Sequence, residues 1–388
     1  MTHVFIVDDR TFKYHLEYMF AGTGGKYDAP FITDVNYKNP RNSKDGIVAQ
    51  SELSITSMIS DLSRVRSGDK ILFYLQAVEG KHDGMFFGVF KAVGSPFYDS
   101  NNNNYLWNEM NKKLNFRVCI QPDTVFAKGV SEYETLDLIN DISHPSEMCW
   151  SLIYRKLKGN RGCTMITDFE ADTLINKIQN IKENKILNVN NFTYDIDSVE
   201  IAISHSKNKY EGEMGTLSIK DRLLVKYNRQ HKFETHLQTF IIQNYDINLE
   251  LNALLIDKPE LPVWIGNEVS CGVGMQRIDI MTVQEDETIV YIGVNELKCV
   301  EPYSYIIETQ LPRYVLWVQN YLAPRYKNKT VIIRPIVIAK KFKNSNDLEK
   351  FKKLCNEFKI TNYSNTKVMP VEYIAFEIDE DITFKKVF

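Results

Sequence analysis

Two carboxylates and a lysine stand out in the C-terminal half of the chain. Asp279 lies between Ile278 and Ile280 in an apolar stretch, residues 275–284. Glu296 and Lys298 close the next apolar run, residues 287–298, reached through an acidic turn at Glu285 and Asp286. Strand side chains alternate, so Glu296 and Lys298 share a face. A buried carboxylate without a partner is costly, so an Asp inside an apolar strand calls for an explanation. Glu234 opens the helix ahead of these strands and can reach the same end of the sheet. Gln310 and Tyr314 stand at i and i+4 and share a face of the helix that follows. This mixture suits phosphodiester hydrolysis. The carboxylates of Asp279, Glu296 and Glu234 would hold a hard cation, Mg²⁺ or in its place Mn²⁺. The cation polarises the phosphate and acidifies its bound water. Lys298 would orient that water or stabilise the developing negative charge. Taken alone, a Glu-x-Lys at a strand end is an ordinary pair; the ordered set of four elements is what carries the reading.

The elements that must position these residues follow from the hydrophobic pattern. Residues 232–248 form a helix with Phe233, Leu237, Phe240, Ile241 and Tyr245 along one side. Strands follow at 275–284 and 287–298, a long helix at 304–322, a strand at 331–342, a helix at 346–358 and a last strand at 371–378. The order α-β-β-α-β-α-β predicts a sheet with helices on its faces. Residues 311–360 hold 12 Lys and Arg against 3 Asp and Glu. That is either one local basic surface or a solvated helix face.

From about residue 225 to 388, this set resembles the PD-(D/E)xK nuclease superfamily of the RecB type. The resemblance assigns the first-helix Glu to Glu234, the metal-binding Asp to Asp279 in QRIDIM, and the ExK motif to Glu296, Leu297 and Lys298. The QxxxY motif falls on Gln310 and Tyr314. It implies an α/β restriction-endonuclease-like domain with a mixed central sheet, and Mg²⁺-dependent cleavage of DNA. Pro312 departs from the pattern. Proline is tolerated in a first helical turn, so the helix is expected to start near Gln310, with its amides near a phosphate. Glu308 is an alternative ligand, and Arg313 a candidate phosphate contact.

The N-terminal part reads as β-rich. Residues 3–7 form a short strand, 51–65 a helix, 70–78 a strong strand after the Gly68-Asp69 turn, and 84–100 a strand interrupted by Gly88, a sign of a bulge. Residues 116–122 and 125–130 complete the strands, and 135–142 and 148–158 look helical. This pattern resembles the PUA superfamily, in particular its EVE and YTH-like branch, through Gly68-Asp69 followed by Gly88, Val93, Ser95, Pro96 and Tyr98. The resemblance covers residues 1–170 and implies an α+β, PUA-like β-barrel that binds a modified or flipped base in an aromatic pocket. Phe73, Tyr74, Phe97, Tyr98, Trp107 and Trp150 are the stacking candidates. Asn39, Ser43 and Ser51 are candidates for edge contacts. Arg155, Lys156, Lys158 and Arg161 form a basic cluster suited to DNA phosphates. For each aromatic the competing reading is plain core packing, and for the basic cluster a solvated helix end.

The expected division is residues 1–175 for the base-reading domain, 176–228 for a polar linker or adaptor with a short β segment at 197–204, and 229–388 for the nuclease. Lys and Arg number 47 against 50 Asp and Glu, a net charge of −3, so bulk charge does not draw this chain to nucleic acid and local patches must do so. No apolar run nears the roughly 18 residues of a membrane span. Residues 1–10 are too short and acidic for a signal peptide. Six cysteines without CxxC spacing argue for reduced thiols and a cytoplasmic setting. The seven histidines show no ligand spacing, and no GxxxxGK[ST] loop is present. The expectation is a modification-dependent DNA endonuclease of the type IV restriction kind. It would act on double-stranded DNA carrying modified bases, as a homodimer because two cuts need two centres. Two alternatives stay open: a RecB-like repair nuclease for mismatched or branched DNA, and a nucleic-acid-binding module with an inactive nuclease fold.

Overall fold

The computed structural model describes residues 1–25, 51–101, 103–136, 142–153, 162–271, 276–363 and 365–388. Asn39, Ser43, Arg155, Lys156, Lys158 and Arg161 lie outside the described residues. The chain divides into two compact units, Met1–Ile142 with Met148–Ile219, and Ser143–Glu147 with Lys220–Phe388. Both are mixed α+β structures built on mixed sheets.

In the first unit the strands are β1 (Thr2–Val7), β2 (Phe20–Thr23), β3 (Lys70–Leu75), β4 (Met85–Tyr98), β5 (Phe116–Pro122), β6 (Val130–Ser131) and β7 (Cys163–Ile166). Their order is β2-β5-β4-β3-β1-β7, with β6 paired to β4. Strands β1 and β3 run parallel, and the other pairs are antiparallel. The expected barrel is not closed: among the described residues no hydrogen-bonded ladder joins β2 to β7. The helices are α1 (Asp9–Glu17), α2 (Glu52–Ser63), α3 (Trp107–Met110), α4 (Glu132–Leu136), α5 (Trp150–Ile153) and α6 (Asp168–Gln179). Two local details differ from the expectation. Ser51, a candidate edge contact, caps α2 by accepting from Ser54 N at 3.2 Å. Residues 125–129 do not form a strand, and only Val130–Ser131 pairs with β4.

The polar stretch after residue 175 is not a linker up to residue 219. It carries the hairpin β8 (Phe192–Asp195) and β9 (Glu200–Ile203), and it buries Phe192, Tyr194 and Tyr210 within the first unit. The Tyr194 ring packs on Phe12 at 5.1 Å and its hydroxyl donates to Asp9 at 2.9 Å. Aromatic side chains spaced through a polar sequence are enough to seat it, since each buried ring contributes about 1.5–3 kcal/mol.

The Gly88 bulge is present: the β3–β4 register shifts between the pairs Ile71–Phe90 and Phe73–Phe87. Gly84 serves a close approach of another kind. A Cβ there would lie 2.2 Å from the Tyr74 hydroxyl oxygen, which is hydrogen-bonded to Glu132 at 2.6 Å in the core. Gly84→Ala is therefore expected to displace that hydroxyl and destabilise the chain by about 1–3 kcal/mol. Urea unfolding of the variant checks this, and an unchanged midpoint would contradict the packing described.

The second unit opens with α7 (Lys220–Asn228), α8 (Glu234–Asn244) and α9 (Leu249–Leu255). Its strands are β10 (Trp264–Ser270), β11 (Arg277–Glu285), β12 (Ile289–Lys298), β13 (Thr330–Lys340), β14 (Thr366–Val368), β15 (Glu372–Ile378) and β16 (Ile382–Lys386). Their order is β10-β11-β12-β13-β15-β16, with β14 on β13. The β10-β11-β12 meander is antiparallel, β12, β13 and β15 run parallel, and β16 returns antiparallel. The centre is buried on both faces: Ile292, Val294, Leu297, Ile336, Val337 and Ile338 are fully enclosed. Between β12 and β13 the chain forms one helical run from residue 304. It includes a π-helical stretch Ile306–Gln310, then α10 (Leu311–Trp317), then a second π-helical stretch Val318–Leu322. The last helix, α11 (Ser345–Glu357), follows β13.

The helical run does not begin at Gln310, as Pro312 led us to expect. The π-helical turn ahead of the proline explains this. Leu311 N–H donates to Ile306 O, five residues back. A widened turn leaves room for a ring that would clash in a regular α-helix and needs no N–H from Pro312. No helix N-terminal amides are therefore offered at Gln310.

Candidate active site

Register brings the acidic pair together. The β11–β12 ladder pairs Ile280 with Asn295, so one step on Asp279 stands opposite Glu296. Directly opposed residues share a face of the sheet. There the ladder opens: Leu297 N–H donates to the Asp279 carboxylate Oδ2 at 2.7 Å. Lys298 follows on the same face as Glu296, and its ammonium donates to Glu296 Oε1 and, at 2.9 Å, to Leu297 O. The second Glu296 oxygen, Oε2, is buried without a well-formed hydrogen bond.

Glu234 begins α8, and its Oε1 lies 3.8 Å from the Lys298 ammonium. The helix start is held in place by Phe233, packed on Tyr227 at 5.7 Å and on Phe376 at 6.0 Å. Glu234 thereby lies beside the lysine, and its charge also acts on Asp279 and Glu296. Among the described residues no three Asp, Glu, His or Cys side chains stand as a group that could hold a metal. Glu308 is exposed in the π-helical turn.

Tyr314 is buried beside Glu296, and its hydroxyl neighbours Gln310, whose Oε1 is itself buried without a partner. Five of the six expected catalytic side chains, Asp279, Glu296, Lys298, Gln310 and Tyr314, thus lie around one point, with Glu234 reaching it through Lys298. Arg313 is exposed on the outer side of α10.

The electrostatics follow from crowding acids in a dry place. Burial, followed by the charge of Glu296, pushes the Asp279 carboxyl well above the usual range, against the Leu297 N–H and Lys298. Burial also raises Glu296, although Lys298 pulls the other way. Burial disfavours the Lys298 ammonium, but Glu296, Glu234 and Asp279 outweigh it and hold the charge firmly. Burial and the two carboxylates keep the Tyr314 hydroxyl protonated. The site therefore crowds carboxyls that resist ionisation around one fixed cation.

Several residues of the site were not anticipated. Gln238, 3% exposed, donates to Asp279 O at 2.7 Å and accepts from Asn267 at 3.3 Å. It stands i+4 from Glu234, the spacing that could have marked it. Glu268 has a left-handed backbone, φ 51°, opposite Asp279, and is bound by Arg277 at 2.7 Å. The Cys271 thiol is pushed up to about 12 by burial and by Glu296 and Asp279.

The stacking candidates do not converge. Phe73 is fully buried among Phe5, Phe12, His15 and Phe90. Tyr74 packs on Phe86 and is bound to Glu132. Phe97 belongs to a separate cluster with Leu106, Met110 and Tyr210. These three are core: β3 is covered on both faces, and Phe97 packs on Tyr210 at 5.4 Å. Tyr98, Trp107 and Trp150 are half-buried; Lys113 lies over the Trp107 ring at 4.9 Å.

No family model matches the sequence, and no curated protein matches it.

Proposed function

We propose that the second unit is a metal-dependent DNA endonuclease, and that the chain as a whole is a modification-dependent enzyme of the type IV restriction kind. The observation that supports this is the register that sets Asp279 against Glu296, with the Lys298 ammonium on the glutamate. The residues fit a hard cation. All the donors are oxygens, Glu296 keeps a buried oxygen without a well-formed hydrogen bond, and both acids are raised by burial and by neighbouring negative charge. Mg²⁺ is commonly bound through one or two carboxylates, with water and substrate phosphate completing its shell, so a pair suffices. Asp279 and Glu296 would hold it, and bound there it would acidify a water and polarise the phosphate. The chain's own contribution is orientation and charge. Leu297 N–H fixes Asp279, Lys298 offers a permanent ammonium to the developing negative charge, and Tyr314 keeps a proton to donate. Base reading by the first unit rests on its sequence resemblance, with Tyr98, Trp107 and Trp150 the half-buried candidates. Two cuts would take two such centres, hence a homodimer.

The test is cleavage with Mg²⁺ of matched duplexes: unmodified, cytosine-methylated, hydroxymethylated and glucosylated, beside a branched substrate. Cleavage confined to one modified duplex and lost in Lys298→Ala is the expected result. Cleavage of unmodified or branched DNA alone would replace this reading with a repair nuclease.

A further inference from the structure

Residues 299–305 join the two elements that carry the site, β12 with Glu296 and Lys298, and the helical run with Gln310 and Tyr314. This short connection leaves three large apolar side chains outside: Val300, Tyr303 and Tyr305 are 53%, 46% and 49% exposed. Among the described residues neither tyrosine ring packs on another aromatic ring. Cations border the same segment. Lys340 N–H donates to Val300 O at 3.1 Å, and Lys343 N–H to Glu301 Oε1 at 3.2 Å, so the turn after β13 runs alongside it. Lys341 and Lys343 are exposed there, and Lys232 is exposed two residues ahead of Glu234. Lys341 meets Glu377 at 3.1 Å, but both side chains lie largely in solvent (59% and 61%), and so open a pair contributes little. The Lys340 ammonium, at the C-terminal end of β13, sits 5.4 Å from the Tyr227 ring centre and ties α7 to that end of the sheet.

Cations alone would serve a duplex, whose outside is phosphate and whose base faces are hidden. Exposed rings among cations serve nucleotides with free base faces, because stacking and phosphate pairing then act on one strand together. We propose that this mouth binds unpaired DNA nucleotides: Tyr303 and Tyr305 stack on bases while Lys232, Lys341 and Lys343 hold the flanking phosphates. The strand to be cut is thus engaged as a single strand next to Lys298. This rests on the nuclease reading for its meaning, though not for its measurement.

The measurement is fluorescence anisotropy of the full chain in EDTA, using labelled oligo-dT and a hairpin duplex of equal phosphate count over a range of salt. The wild-type chain is expected to bind the single strand at least about tenfold more tightly than the duplex. Tyr303→Ala with Tyr305→Ala should remove about tenfold or more of the single-strand affinity and leave the duplex unchanged. Lys341→Ala with Lys343→Ala should weaken both and flatten the single-strand salt slope by about 1.4. Equal or tighter duplex binding by the wild type would overturn the inference, as would a tyrosine variant that holds the single strand as the wild type does. All four side chains lie at the surface, and an unchanged thermal midpoint confirms that the variants fold. A chain that binds as expected yet cuts nothing fails the proposed function alone. One that cuts, but whose tyrosine variant binds normally, fails this inference alone.

Discussion

Asp279→Asn is expected to lower Mg²⁺-dependent cleavage by about 10³-fold while raising the thermal midpoint of the metal-free chain. The loss follows from the proposed function: the change removes one of the two carboxylates that would hold a cation worth several kcal/mol in the transition state, where each 1.36 kcal/mol is about tenfold. The gain in stability follows from the raised carboxyl. Its folded pKa lies well above the ordinary value of 3.8, so the folded chain binds this proton more tightly than the unfolded chain does. Below about pH 4 both states are protonated and wild type and variant should melt alike. As pH rises through the folded pKa the ionised Asp279 costs wild type stability, and the variant does not lose it. An increase of about 2 °C or more at neutral pH in EDTA is the expected reading, disappearing near pH 4. Added Mg²⁺ should then stabilise wild type and leave the variant where it was. A variant that cuts normally, or that melts lower at neutral pH, would remove Asp279 from the role given to it.

The largest effect on stability is expected at a buried ion pair in the first unit. Arg117 is fully enclosed, with Nη1 2.9 Å from Asp99 Oδ2, Nε donating to Leu114 O at 2.8 Å and Nη2 to Lys113 O at 2.6 Å. Tyr210 donates to the same Asp99 oxygen, and its ring and Phe20 flank the guanidinium. Asp99→Ala leaves a guanidinium in the core with its neutral contacts intact and its counter-charge gone. Breaking such a pair from one side costs about 3–5 kcal/mol. Denaturant unfolding should show that loss, and Asp99→Ala with Arg117→Met should be less damaging than the two single changes summed. A loss below about 1 kcal/mol, the scale of an exposed pair such as Lys350–Asp347, would mean the core relaxes around the charge.

The site was legible where local rules decide it. Alternation placed Glu296 and Lys298 on one face, and the Gln310–Tyr314 spacing survived even a π-helical turn. Glu234 was harder, because where its helix begins depends on Phe233 finding Phe376, a contact across more than a hundred residues. Gln238 shows the same limit: its i+4 spacing is visible, but its partner Asp279 O comes from a strand edge whose regular pairing fails at Glu268. Strands β10 and β16 escaped notice because WIGNEVS and ITFKK alternate weakly and are short. In the first unit, aromatic content alone could not separate pocket from core. Phe73 and Tyr74 are neighbours on opposite faces of β3, and both faces are covered. A stacking role needs an uncovered face, which composition does not report.

Residues 143–147 belong to the second unit although the chain on either side belongs to the first, and Ser146 O accepts from Arg325 Nε at 2.6 Å. The two units are therefore not consecutive cassettes. A gene fragment beginning at residue 220 would encode the whole sheet around Asp279 and Glu296 yet omit the five-residue segment whose Ser146 meets Arg325. Recombination at a single breakpoint near residue 220 would separate residues 143–147 from the rest of their own unit. Exchange of the whole first unit would require moving both of its segments, 1–142 and 148–219, at once.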